Sequence, residues 1–116
     1  MLAKKLLVFL WLSLSYSASL LASPEVLHIY LDADRTNYSE SAIAMEHGVK
    51  VAFAEVDNKI AGIPVEFIAL DHRGNVGRSK RNMDRFIQDD NALVFLGGLH
   101  SPPLLKYRDF INQSKI

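Results

Sequence analysis

Three short polar stretches of this 116-residue chain concentrate the residue types that can do chemistry. The first, residues 32–38, offers Asp32, Asp34, Thr36, Asn37 and Tyr38. The second, residues 71–78, offers Asp71, His72, Arg73 and Asn75. The third, residues 97–101, offers Gly97, Gly98, Leu99, His100 and Ser101. Ser101 with His72 or His100 and Asp71 contains the types needed for a nucleophilic triad. No G-x-S-x-G elbow surrounds Ser101, and its place before Pro102 and Pro103 is accounted for by helix capping. His72, His100, Asp71 and Asp32 could supply imidazole and carboxylate ligands, but none has the H-x-x-x-H or H-E-x-x-H spacing of a helical metal site. His28 falls within an apolar run and His47 on the polar side of a helix pattern, so both read as structural. Gly97-Gly98 lacks the rest of a G-x-G-x-x-G fingerprint and the P-loop Lys. The residues therefore point away from an enzyme, a metal and a nucleotide cofactor, and toward binding.

The elements between these stretches follow from periodicity. Residues 26–31 (VLHIYL), 65–70 (VEFIAL) and 92–96 (ALVFL) are short apolar runs of the kind that form buried strands. A helix is expected from about Ser39 or Ser41 to Asn58, with Ser41 as a possible cap. Its apolar stripe is Met45, Val49, Ala52, Phe53 and Val56, with Glu46, Lys50 and Asp57 off it. A second helix runs from about Val76 or Ser79 to Gln88 and turns Met83, Phe86 and Ile87 inward. A third starts at Ser101-Pro102-Pro103 and presents Leu104, Tyr107 and Ile111. Residues 60–64 (IAGIP) read as a turn. The order βαβαβα implies a parallel sheet with right-handed crossovers, an α/β fold of Rossmann-like, three-layer type. In such sheets ligands bind outside the carboxyl ends of the strands, which is where all three polar stretches fall.

Composition sets the class. The chain is 49% hydrophobic and 22% charged, ordinary for a folded domain. Its zero net charge gives no reason to expect nucleic acid. With no Cys there is no disulfide, thiolate metal site or lipid-modified Cys anchor. The basic set Arg73, Arg78, Lys80, Arg81 and Arg85 is interspersed with Asp84 and Asp89 and reads as a solvated helix face. Lys4 and Lys5 precede an apolar run at 6–14 (LLVFLWLSL), and small residues follow up to Ala22 and Ser23. This is the pattern of a cleaved secretory signal over residues 1–22, too short and serine-rich for a stable membrane span. It places the mature chain, from about residue 24, in the periplasm.

Several stretches also carry a family resemblance. Residues 48–57 (GVKVAFAEVD) resemble G-x-x-L-A-(V/I)-x-x-I-N, and residues 62–66 (GIPVE) resemble a G-x-P-(V/L) strand entry. Residues 71–75 (DHRGN) resemble an acidic loop, and residues 94–101 (VFLGGLHS) a third strand with its ligand loop. In this order and spacing the chain resembles the beginning of a type I periplasmic substrate-binding protein of the branched-chain amino acid class that serves ABC importers. The resemblance implies a clamshell that closes on a small polar ligand, such as an amino acid, and hands it to a permease without chemical change. It implies that the Ser101 hydroxyl and backbone N–H groups near it meet the ligand, with Leu99 and His100 beside them. Asp34 to Tyr38 would reach the cleft from the first loop, and His72 and Arg73 from the second. Two departures stand out. Val76 replaces a common Pro, and Pro102 and Pro103 have no N–H, so the third helix offers few anion donors. Arg73 or a protonated His100 is left to compensate. Family members are several times longer, so residues 24–116 are expected to form an incomplete first lobe with one sheet edge unpaired. The alternatives are the extracellular sensing domain of a receptor, which uses the same fold, and a small exported metal-binding or hydrolytic protein.

Overall fold

The structure, a computed structural model, describes residues 25–114. The expected signal segment lies outside the described residues. The described chain runs β1 (Leu27–Ala33), α1 (Ser39–Ala54), β2 (Lys59–Ile60), β3 (Ile63–Asp71), α2 (Val76–Ile87), β4 (Ala92–Gly97) and α3 (Ser101–Ser114). The strands form one sheet in the order β2-β3-β1-β4. β1 is central and pairs in parallel with β3, from Leu27↔Val65 to Ala33↔Asp71, and with β4 up to Asp32↔Gly97. The parallel core of the sheet is the expected one. Among the described residues, no helix is long and apolar enough to cross a membrane.

Alternation along β1 divides the interior into two cores. Tyr30 faces α2 and α3, where it packs with Met83, Phe86 and Tyr107 against Ile68, Leu70, Phe95 and Ile111. Leu31 and Ala33 face the other way, toward Ala42 and Met45 of α1 and toward Phe67 and Leu96. Full burial of a large apolar side chain contributes about 1.5–3 kcal/mol, so Leu31 and Tyr30 anchor the central strand from both sides. The result is three layers, with α1 on one face and α2 and α3 on the other.

Several details differ from the sequence reading. The stretch at 60–64 is not a simple turn: Lys59–Ile60 pairs antiparallel with Pro64 and Ile63, closing a short hairpin. Ala61 and Gly62 both have positive φ, 51° and 83°, as a two-residue hairpin loop of the I′ kind requires. The first helix stops at Ala54, because Asp57 and Asn58 enter positive φ before the hairpin. Tyr38 occupies its N-cap position, with no side-chain capping bond from Ser41 or any other residue. Its inward stripe is Ala42 and Glu46, which are buried, with Met45, Val49 and Phe53 half-buried, while Ala52 and Val56 are exposed. Glu46, placed on the polar side by type alone, is buried because Arg35 Nε pairs with it at 2.7 Å. Lastly, β4 is apolar throughout yet not covered on both faces. It lies at the sheet edge, with Leu93 and Val94 exposed.

Candidate functional site

β1, β3 and β4 run in parallel, so their carboxyl ends open at one rim, and the three polar loops leave from it. The last strand residues already carry polar groups. Asp32 is in β1 and Asp71 in β3, each one position inside what the sequence reads as loop. The Gly98 N–H donates to the Asp32 carbonyl at 3.0 Å, and the His72 N–H to the Ala33 carbonyl at 3.1 Å. These bonds extend the sheet pairing into the loops and fix where the side chains start.

Asp71 joins the first loop to the second. It accepts from the Arg35 N–H at 3.0 Å, the Thr36 hydroxyl at 2.7 Å and the Arg73 N–H at 3.0 Å. Burial alone would raise its pKa, but these three donors and the Arg73 guanidinium prevail and hold it below the usual carboxylate value. Asp34 is fully buried and folds its own loop. Asn37 donates to it from the backbone at 2.9 Å and from the side-chain amide at 3.1 and 2.9 Å. Burial opposes its ionisation too, and the Asn37 bonds outweigh it, so its pKa is lowered.

His72, also buried, joins the second loop to the third. Its Nδ1 accepts the Gly74 N–H at 3.0 Å, so the ring proton belongs on Nε2, which donates to the Gly98 carbonyl at 3.3 Å. Gly74 has φ +65°, and a Cβ there would stand 3.1 Å from Asp34 Oδ2. A side chain at that point would crowd the loop on both counts. The His100 ring meets His72 edge-on at 5.6 Å and Tyr38 at 5.2 Å between centroids. Its Nδ1 lies 3.9 Å from Asp34 Oδ2, is buried, and has no hydrogen-bond partner.

Behind these rings is a cavity of about 220 Å³, lined among others by Asp32, His72, Ser79, His100, Ser101 and Tyr107. Whole small-molecule sites begin at roughly 300 Å³, so this cavity has the size for one end of a ligand. Its floor is Asp32. Ser79 Oγ donates to Asp32 Oδ2 at 2.5 Å and Asn82 Nδ2 to Oδ1 at 2.6 Å. Burial dominates over these two bonds and raises the Asp32 pKa. The Tyr107 hydroxyl lies 3.4 Å from the Ser79 oxygen, and burial raises its pKa as well.

Of the residues singled out from sequence, His72, Leu99, His100 and Ser101 line this cavity. Asp34 and Tyr38 stand against His100 at its mouth. Arg73 does not line it; its guanidinium pairs with Asp71 at 3.4 Å. The sequence reading missed Ser79, Asn82 and Tyr107. A signal was present: Ser79 and Asn82 share one helical face with Met83 and Phe86, at i, i+3, i+4 and i+7, so two polar residues had to be buried with the apolar ones. Among the described residues, no group of three or more His, Asp or Glu side chains is placed to hold a metal. A larger groove of about 640 Å³ lies near the opposite end of the sheet, beside His28, Glu66, Arg85 and Asp89. The rim cavity is preferred as the site because parallel sheets present their loops, and thus their ligands, at the carboxyl ends.

Known proteins share this fold. Residues 30–116 match the periplasmic binding protein family. The fold is similar to the crystal structure of a possible leucine/isoleucine/valine-binding protein from Rhodopirellula baltica SH 1, with a TM-score of 0.64 and 24% identity. That likeness covers 81% of this chain and 27% of the other, so the chain spans about a quarter of its solved relative's length. Among curated proteins, none matches the chain. With three quarters of its residues inside the match, and with ligand-type loops gathered at one rim of a parallel sheet, the chain belongs to the periplasmic binding protein family.

Proposed function

We propose that this chain is the first part of the solute-binding component of an ABC-type importer. In this reading it is exported by its N-terminal signal, stays outside the cytoplasm, and forms one wall of a cleft that closes on a small polar ligand. The cavity has the size for one end of an amino acid or a related compound, and the fold neighbour is named for leucine, isoleucine and valine. The ligand passes to a membrane permease unchanged. The observation that carries this reading is the rim cavity, where Asp32, His72, His100 and Ser101 from three parallel βα units meet. Side chains converging from separate loops onto a half-sized polar pocket are what a two-walled binding site needs from one wall.

The test is isothermal titration calorimetry of the full exported polypeptide against the standard L-amino acids and their simple derivatives, with recovery of the bound compound. Saturable binding of at least one compound, returned chemically intact, is the expected result. Turnover of the compound, or no saturable heat from any of them, counts against it. N-terminal sequencing of the exported product checks the signal, with a new terminus expected near Ala22 or Ser23. A retained apolar start would instead favour a membrane-tethered sensor.

A further inference from the structure

The polar lining of the rim cavity has a sign, and that sign bears on which end of a ligand it receives. This inference rests on the solute-binding reading above. Asp32 accepts on both oxygens, from Ser79 and Asn82, and so faces the cavity as a carboxylate. Asp34 stands just beyond His100. The cations of the neighbouring loops are engaged elsewhere: Arg35 Nε holds Glu46 at 2.7 Å and Arg73 Nε holds Asp71 at 3.4 Å. No Lys or Arg is among the residues lining the cavity. The helix that starts at its edge cannot serve as an anion site in the usual way. α3 opens Ser101-Pro102-Pro103, and the two prolines remove N–H groups from the turn whose free donors attract anions.

What the cavity does offer is acceptors. Asp32 forms its floor, and the Ser101 and Tyr107 oxygens share the same lining. A ligand carboxylate placed here would sit beside Asp32 with no opposing cation, and like charges brought together in an interface are strongly unfavourable. A ligand N–H would meet Asp32 with the favourable sign. We propose that this rim receives its ligand through an uncharged or cationic N–H group, an amide or amine nitrogen, and not through a carboxylate.

Isovaleramide and isovalerate have the same branched carbon skeleton and differ in carrying an amide nitrogen or a second carboxylate oxygen. Calorimetric titration of the full exported polypeptide with each, near neutral pH, isolates that difference. Isovaleramide is expected to bind at least about tenfold more tightly. Equal or tighter binding of isovalerate overturns the inference and leaves the solute-binding reading standing. If neither probe binds while a member of the amino-acid panel does, the inference is again overturned alone. If the panel fails too, both readings fall.

Discussion

The Ser79 hydroxyl donates to the Asp32 carboxylate at 2.5 Å and so joins the first turn of α2 to the end of β1. Both groups are buried, and the bond spans 47 positions of sequence. It holds the helix over the cavity floor at the point where the two elements meet. Ser79→Ala leaves Asp32 Oδ2 buried without that donor, at a cost of about 1–3 kcal/mol. Urea denaturation with the slope held constant reads the loss directly. A change within ~0.5 kcal/mol would place the bond among contacts that contribute nothing.

The carboxylates of the rim respond to acid with opposite signs. Asp34 and Asp71, with Asp89 at the far end of the sheet, have lowered pKa values. Each contributes stability that is present above the ordinary carboxylate value and lost as pH falls through its own folded value. Asp32 has a raised pKa, chiefly from burial. It binds its proton more readily folded than unfolded, so its contribution improves as pH falls through the raised value and partly offsets the other three. Asp32→Asn removes that offset. The variant is expected to lose more stability than the parent between neutral pH and about pH 3, measured as urea midpoints across pH. An equal or shallower loss overturns the assignment.

The split between legible and illegible residues has a physical pattern. The three parallel strands and their helices were readable because β-branched and aromatic runs alternate with helical stripes such as Met45, Val49 and Phe53. The rim was readable because topology alone sends the loops after Ala33, Asp71 and Gly97 to one end. The hairpin was not: Ala61 adopts a positive φ that its side chain disfavours, and no residue type announces that. Glu46 was misread because its burial depends on Arg35, eleven positions away and held in place by Asp71. Ser79 and Tyr107 looked like a helix start and an apolar stripe, since their polar roles exist only once Asp32 stands between the elements.

At the other end of the sheet, Asp89 is held by two side chains of β1. Tyr30 donates to its Oδ2 at 2.6 Å, and His28 Nδ1 lies 2.6 Å from the same atom. Burial would raise the Asp89 pKa, but these bonds and the Asn91 N–H lower it. Tyr30→Phe keeps the ring against Phe86 and removes one donor. The expected cost is about 0.5–1.5 kcal/mol, with the Asp89 midpoint moving up toward the ordinary value. Carboxyl-carbon NMR titration reads the midpoint, and no upward movement would show that Tyr30 does not set it.

Gly74 lies where backbone and side-chain demands coincide. Its φ of +65° favours glycine, and a Cβ would stand 3.1 Å from Asp34 Oδ2 and 3.9 Å from His100 Nε2. Gly74→Ala should cost about 1–3 kcal/mol through backbone strain and crowding together. The same substitution should displace the Asp34–His100 pair and weaken ligand binding beyond what the stability loss explains. Thermal unfolding and calorimetric binding, compared on the folded fraction, separate the two effects. Gly62→Ala is the control, because its φ is also positive but nothing lies within 4 Å of the added atom.

β4 is the remaining exposed liability. It is an edge strand, and its Leu93 and Val94 side chains are 50% and 38% exposed, next to the exposed Leu104 of α3. An apolar edge with unpaired backbone groups is a template for pairing with another chain. Leu93→Lys places a charge on that edge without removing a buried contact, so stability should change by no more than ~0.5 kcal/mol. Self-association should weaken by roughly tenfold or more, since the lysine would have to be buried unpaired in the contact. Light scattering against concentration compares the two proteins. If the parent associates and the Leu93→Lys variant associates equally well, the contact forms elsewhere, and the apolar cleft of Met83, Phe86 and Ile111 beside β4 becomes the surface to mutate next.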